Sequence, residues 1–273
     1  MTRIGDRFSI NTYSYTQTTT AAECLRKLAA MGARGIELMA FPGHLWIDDS
    51  KATLAEIRTI LDGEGLELSS LNTANIDLNI TGASTEMRDF SAGLVEHFLR
   101  IAGEIGAPSF ILGPGKANPL FPLRFDLLRD HLFRALDRLL PVAATHGVEL
   151  WAENMPFAFL PDLSRLLATL DAYGASDMGI CYDVANAHFI GEDAAEGIAR
   201  LGSRLKLFHI SDTGRQVYRH DPIGMGDVDF TTIGSALRRA GHDKPPVLEI
   251  ISLTPDADFL NAEEALRQRG YEP

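Results

Sequence analysis

Cysteine is scarce: the 273 residues contain only Cys24 and Cys181. That number excludes a disulfide scaffold, and no CxxC metal motif occurs. One thiol falls in a helical pattern and the other in a strand pattern, so both read as small buried apolar groups. Long apolar runs are missing as well. No window of about 18 such residues exists, which predicts no membrane-spanning helix. The opening Met1-Thr2-Arg3-Ile4-Gly5-Asp6-Arg7 runs into Phe8-Ser9-Ile10 without the continuous apolar stretch of a secretory signal, so a cytoplasmic protein is expected. Positive charge is in deficit, with 25 Lys and Arg against 37 Asp and Glu, a net −12. Such a field repels phosphate backbones and anionic bilayers, so neither nucleic acid nor membrane is an expected partner. Nucleotide signatures are absent too. No GxGxxG follows the first strand, where Asn11-Thr12-Tyr13-Ser14 stands, and Gly113-Pro114-Gly115-Lys116 lacks both the P-loop spacing and its Ser or Thr.

What is present is a composition of 45% apolar and 23% charged residues, enough for a large core. Two hydrophobic periods alternate along it. Helical spacing shows at Ala21, Cys24, Leu25, Leu28 and Ala29, and again at Phe90, Leu94, His97, Phe98, Ile101 and Ile105. Helices are predicted near 20–32, 51–64, 85–105, 124–146, 162–173, 193–201, 231–240 and 257–269. Short apolar runs at 8–12, 35–39, 66–71, 109–112, 148–152, 178–182, 205–210 and 247–251 read as strands buried on both faces. Glycines in Met31-Gly32-Ala33 and His146-Gly147-Val148 suit the left-handed turn that ends a helix. Eight β–α units without a linker predict one (β/α)8 TIM barrel domain over residues 1–273.

Chemistry in such a barrel sits where strands end. Strand five gives Leu150-Trp151-Ala152-Glu153-Asn154 and strand six Gly179-Ile180-Cys181-Tyr182-Asp183. Strand seven gives Lys206-Leu207-Phe208-His209-Ile210-Ser211-Asp212, and strand eight Pro246-Val247-Leu248-Glu249-Ile250-Ile251. Taken singly, each acid would be a cap or an ion-pair member, and the histidine a satisfied core residue. Together they put one metal-capable group on each of four successive strands: Glu153, Asp183, His209 and Glu249. Three converging carboxylates repel one another, and a divalent cation offsets that cost. Three oxygen donors and one imidazole suit Mn2+ first, with Mg2+, Co2+ and Zn2+ also served by the set.

The segments Glu153-Asn154-Met155-Pro156, Tyr182-Asp183-Val184-Ala185-Asn186-Ala187-His188 and Phe208-His209-Ile210-Ser211-Asp212 resemble those of the xylose-isomerase-like TIM barrels. So do Leu248-Glu249-Ile250 and the stretch from Arg219-His220-Asp221-Pro222 through Gly224-Met225-Gly226-Asp227. The resemblance covers the whole chain. That superfamily contains sugar epimerases and isomerases, hydroxypyruvate isomerase, inosose dehydratase and type IV apurinic endonucleases. It implies a metal site on Glu153, Asp183, His209 and Glu249, with the two glutamates also exchanging protons with substrate. It further implies a small sugar as partner and a homo-oligomer. The chain departs from the pattern at three points. Asn186 stands where members often carry a histidine, Tyr218 replaces an acidic ligand of the trinuclear nucleases, and Phe159 replaces a glutamate of tagatose-type epimerases. A mononuclear site is therefore expected.

A divalent ion on adjacent oxygens of a hydroxy-carbonyl sugar would stabilise an enediolate after loss of the α-proton. The sequence therefore predicts a metal-dependent isomerase or epimerase of a sugar or polyol-derived ketone, with Glu153 and Glu249 as acid–base pair. A dehydratase is the alternative; an apurinic endonuclease-like hydrolase and a non-catalytic sugar-binding barrel come after it. Substrate contacts are expected from His188, Arg215, His220 and Lys116. Their ordinary readings are a helix-start core histidine for His188 and solvated loop cations for Arg215 and Lys116. His44 and Trp46 read as pocket wall or as packing.

Overall fold

Because each apolar run is followed by an amphipathic helix, successive strands lie parallel and the sheet curls until its first and last members meet. The structure, a computed structural model, describes residues 3–272. Met1 and Thr2 of the N-terminal segment, and Pro273, lie outside the described residues. The strands are β1 (Ser9–Asn11), β2 (Gly35–Ala40), β3 (Glu67–Thr73), β4 (Ser109–Leu112), β5 (Glu149–Glu153), β6 (Ile180–Asp183), β7 (Leu205–Ile210) and β8 (Val247–Leu248). They pair in chain order into a closed barrel, with β1 hydrogen-bonded to both β2 and β8. The helices are α1 (Ala21–Met31), α2 (Lys51–Glu64), α3 (Thr85–Ile105), α4 (Phe125–Thr145), α5 (Leu163–Tyr173), α6 (Val184–Ile190), α7 (Ala194–Leu201), α8 (Ile233–Arg239) and α9 (Pro255–Gln268). This is the expected (β/α)8 TIM barrel.

Local chemistry sets the helix ends. Thr20 and Glu23 form a reciprocal capping box at α1, and Ser50, Ser84 and Asp162 accept the free amides of α2, α3 and α5. Gly32 ends α1 at φ 96°, where a side chain would also meet the Ile4 carbonyl 2.9 Å away. Two details differ from the sequence reading. The short α6 directly after β6 is an additional helix, nucleated by Asp183 as its cap. In α3 the buried stripe is Leu94, Val95, Phe98, Leu99, Ile101, Ala102 and Ile105, whereas Phe90 and His97 are exposed. At about 100° per residue, those two lie roughly 90–110° around the helix from the stripe's centre. Among the described residues no helix is long and apolar enough to cross a membrane.

Most of the core lies between the strands and the helical ring. A second, smaller apolar cluster fills the barrel interior: Ile111, Trp151, Cys181, Leu207 and Val247. Cys24 and Cys181 are both free and buried. The interior cluster is the floor on which the polar groups of the mouth rest.

Candidate metal centre

Side chains along a strand return to the same face every second residue. Two positions beyond Trp151, Cys181, Leu207 and Val247 come Glu153, Asp183, His209 and Glu249, one layer above the apolar floor. The structure brings all four together: one ligand-capable atom from each lies within 4.8 Å of the others, and all four residues are buried. His209 Nδ1 is 3.0 Å from Glu249 Oε2, 3.5 Å from Glu153 Oε1 and 3.6 Å from Asp183 Oδ2. Asp183 is tied to its own helix, its Oδ1 accepting the Asn186 amide at 2.6 Å.

The electrostatics of this cluster are unbalanced. Burial pushes the Glu153 carboxyl up to about 7, opposed by His209 and reinforced by the charges of Glu249 and Asp183. Burial likewise pushes Glu249 up to about 8. For His209, burial disfavours the imidazolium, but the acidic groups packed on it, Cys181, Glu37 and Glu249, outweigh this and raise its proton affinity well above the usual range. Hydrogen bonding does not resolve the strain. Asp183 Oδ2, Glu249 Oε2 and both ring nitrogens of His209 are buried without an aligned hydrogen-bond partner. Buried polar atoms are seldom left so, and here Asp183 Oδ2, Glu249 Oε2 and His209 Nδ1 converge on one point. Three carboxylates and one imidazole facing inward form a donor set that fits a divalent cation.

The β7–α8 loop roofs this cluster. Asp212 organises it, accepting from the amides of Gly224 at 2.7 Å, Thr213 at 3.0 Å and Val228 at 3.2 Å. Gly226 passes so close that a Cβ there would lie 2.3 Å from the Thr213 carbonyl oxygen and 2.4 Å from Asp212 Oδ1. Held in this way, the loop sets His220 Nδ1 3.3 Å from Glu249 Oε2 and 3.7 Å from Asp183 Oδ2. The Tyr218 hydroxyl donates to Asn186 Oδ1 at 2.6 Å and lies 2.8 Å from His220 Nε2. The Tyr218 ring packs edge-on to Phe157 and Phe189, with centroids at 5.1 and 5.3 Å, making an aromatic wall beside the polar centre.

The other expected contacts are placed less centrally. His188 pairs through Nε2 with Asp227 Oδ1 at 2.7 Å. Arg215 is exposed on the same loop. Lys116 follows β4, its ammonium held by the Ile76 carbonyl. His44 is buried between the Thr19 carbonyl and the Thr12 hydroxyl, and Trp46 packs on Phe98 at 5.3 Å, so both serve packing. Sequence reasoning passed over Glu37, whose Oε1 lies 2.9 Å from His209 Nε2, and Asn11, which donates to it. The available signal was a carboxylate in the middle of the apolar second strand. A cavity of about 970 Å3 flanks the mouth, lined by Tyr13, Ser14, Arg219, Asp221, Met225 and Leu253 among others; none of the four cluster residues lines it.

A closed parallel barrel with a cation-competent cluster at the carboxyl ends of its last four strands defines the class of this protein. The family follows from comparison: residues 25–269 match the model of the xylose isomerase-like TIM barrel, and the chain belongs to that family. It is 22% identical over 199 residues to the uncharacterised protein MJ1311 of Methanocaldococcus jannaschii, covering 70% of this chain and 66%, just under two thirds, of that relative. Among solved structures it is similar to a D-tagatose 3-epimerase-like protein, with TM-score 0.81, 19% identity and 96% of each chain covered. It is similar also to the 3-keto-D-glucoside 4-epimerase YcjR from E. coli, with TM-score 0.78, 18% identity and coverage of 96% of this chain and 99% of the other. At these identities the likeness is one of fold.

Proposed function

We propose that this chain is a divalent-cation-dependent isomerase or epimerase acting on a sugar or polyol-derived ketone. The observation that carries this reading is the buried cluster of Glu153, Asp183, His209 and Glu249, in which Asp183 Oδ2, Glu249 Oε2 and His209 Nδ1 converge without hydrogen-bond partners. Support of a second kind comes from the similar structures, one an epimerase of a 3-keto-glucoside and another D-tagatose 3-epimerase-like. When bound, the ion would polarise an α-hydroxy-carbonyl and acidify the adjacent carbon. An oxygen-rich donor set with one imidazole favours Mn2+, with Mg2+ and Co2+ next.

The remaining work falls to side chains of the chain itself. Glu153 and Glu249 stand on non-adjacent strands, β5 and just past β8, so they can flank a substrate lying across the mouth. One takes the α-proton and the other returns one from the opposite face, which inverts that carbon. In the ion-free site, burial raises the proton affinity of both carboxyls. His220, buried beside Glu249, would hold a substrate hydroxyl on exchanging one of its present partners, Ser211 or Tyr218, and the Tyr218–Phe157–Phe189 wall would offer an apolar face for sugar C–H groups.

The test is exchange of carbon-bound hydrogen in deuterated water over a panel of ketoses, ketose phosphates and inososes, with Mn2+, Mg2+ and Co2+ supplied separately. Cation-dependent uptake at an α-carbon is the expected result; net loss of water would mark a dehydratase instead. A purified chain that takes up no divalent cation after dialysis against each would overturn the reading.

A further inference from the structure

Among the groups that the proposed reaction does not use, Glu37 is the most unusual. It is a fully buried carboxylate in the middle of β2, inside the barrel. Neutral donors from the two flanking strands clamp it. Oε1 accepts from Asn11 Nδ2 at 2.5 Å and from Asn72 Nδ2 at 3.2 Å, while Oε2 accepts from the Ser70 hydroxyl. The strand register puts these partners beside it, Asn11 opposite Glu37 on β1 and Ser70 opposite Glu37 on β3. The position of Glu37 is therefore fixed by β1 and β3.

His209, reaching in from β7, meets this fixed acceptor with one nitrogen and the cluster with the other. Nε2 is 2.9 Å from Glu37 Oε1, whereas Nδ1 is the atom facing Glu249, Glu153 and Asp183. The 2.9 Å pair is close but not aligned as a hydrogen bond; a small turn of the ring that aligns it would keep the proton on Nε2 and present the lone pair of Nδ1. Resting on the cation-binding reading above, we infer that Glu37 is a positioning residue: it holds His209 as the Nε2–H tautomer so that Nδ1 is the ion's ligand. Glu37 is not a fifth ligand. Both its oxygens are taken by Asn11, Asn72 and Ser70, and it meets the ring at the nitrogen opposite the three carboxylates. Asn11 extends the arrangement, its Nδ2 lying 3.4 Å from Glu249 Oε1 as well.

The experiment uses the full chain with 15N-histidine labelling, loaded with Zn2+ as a diamagnetic probe, and reads the two-bond ring correlations of His209. The expected spectrum has a proton on Nε2 and the ion's shift on Nδ1; an ion on Nε2 would overturn the inference without recourse to any variant. Glu37→Gln keeps the shape but removes the charge. We expect it to weaken Mn2+ binding about 10–100-fold by calorimetry and to mix the His209 tautomers. Ion-free melts of the variant distinguish this from a loss of folding. Wild-type affinity together with an unchanged His209 spectrum in Glu37→Gln would overturn the positioning role while leaving the cation site standing. Failure of the wild-type chain to bind any divalent ion would remove both.

Discussion

On the β1–β4 side of the barrel mouth, the inward polar groups are mostly amides and hydroxyls, and they satisfy one another. Asn11, Ser70 and Asn72 all donate to Glu37, and Asn75 accepts the Gly113 amide while donating to Asn72. On the β5–β8 side the inward groups are three carboxylates and an imidazole, and three of their atoms, Asp183 Oδ2, Glu249 Oε2 and His209 Nδ1, face one another unpaired. Equal burial thus has two outcomes. The first side is complete as folded and gives the site its shape; the second is complete only with a positive charge among its anions.

The sharpest way to break this comparison is Glu249→Gln. Neutralising one proton-transfer group on the unpaired side should lower α-carbon deuterium exchange by about 10²–10⁴-fold. Near wild-type exchange in that variant would place the chemistry elsewhere. A second test works through pH. Without a divalent cation, Glu153 and Glu249 hold protons up to about 7 and about 8, above the ordinary 4.5 of an unfolded glutamate. The folded state then binds more protons than the unfolded one, so this contribution to stability is full below about 4.5 and is lost as pH rises through 7–8. The raised His209 acts in the same direction. Thermal melts in EDTA should fall across that window by a few kcal/mol, and Mn2+ should restore more stability at pH 8 than at pH 5. Equal effects of Mn2+ at both pH values would remove the coupling between ion and carboxylates.

Gly226→Ala probes the roof over the unpaired side. The added methyl meets backbone and the Asp212 carboxylate at under 2.5 Å, so the loop must move. A loss of about 1–3 kcal/mol is expected, with a rise in KM as His220 is displaced. Unchanged KM would uncouple His220 from substrate. At the small end stands Arg215→Ala: the residue is exposed, and stability should change by no more than about 0.5 kcal/mol.

The barrel was legible because its signals are local. Short apolar runs and helical stripes sit within windows of a dozen residues, and strands such as Ser109–Leu112 and Leu205–Ile210 begin and end where their apolar runs do. The four cluster residues were legible for a related reason: Glu153 and Asp183 directly follow their apolar runs, and His209 and Glu249 interrupt theirs. Glu37 has no such companion. Its partners, 26 residues back at Asn11, 33 ahead at Ser70 and across the barrel at His209, become neighbours only once the sheet closes. The exposure of Phe90 and His97 shows the limit of apolar spacing alone, since a residue can extend a stripe on paper and still lie beyond its edge on the helix.

Asp183 divides its carboxylate between two tasks, one oxygen on the first turn of α6 and the other turned to the cluster. Tethered at one atom, it has little freedom to swing and follow ions of different radius. On the proposed cation reading, size discrimination would rest with the two longer glutamate arms, and changing the preferred ion would mean altering what restrains Glu153 and Glu249 rather than replacing the aspartate.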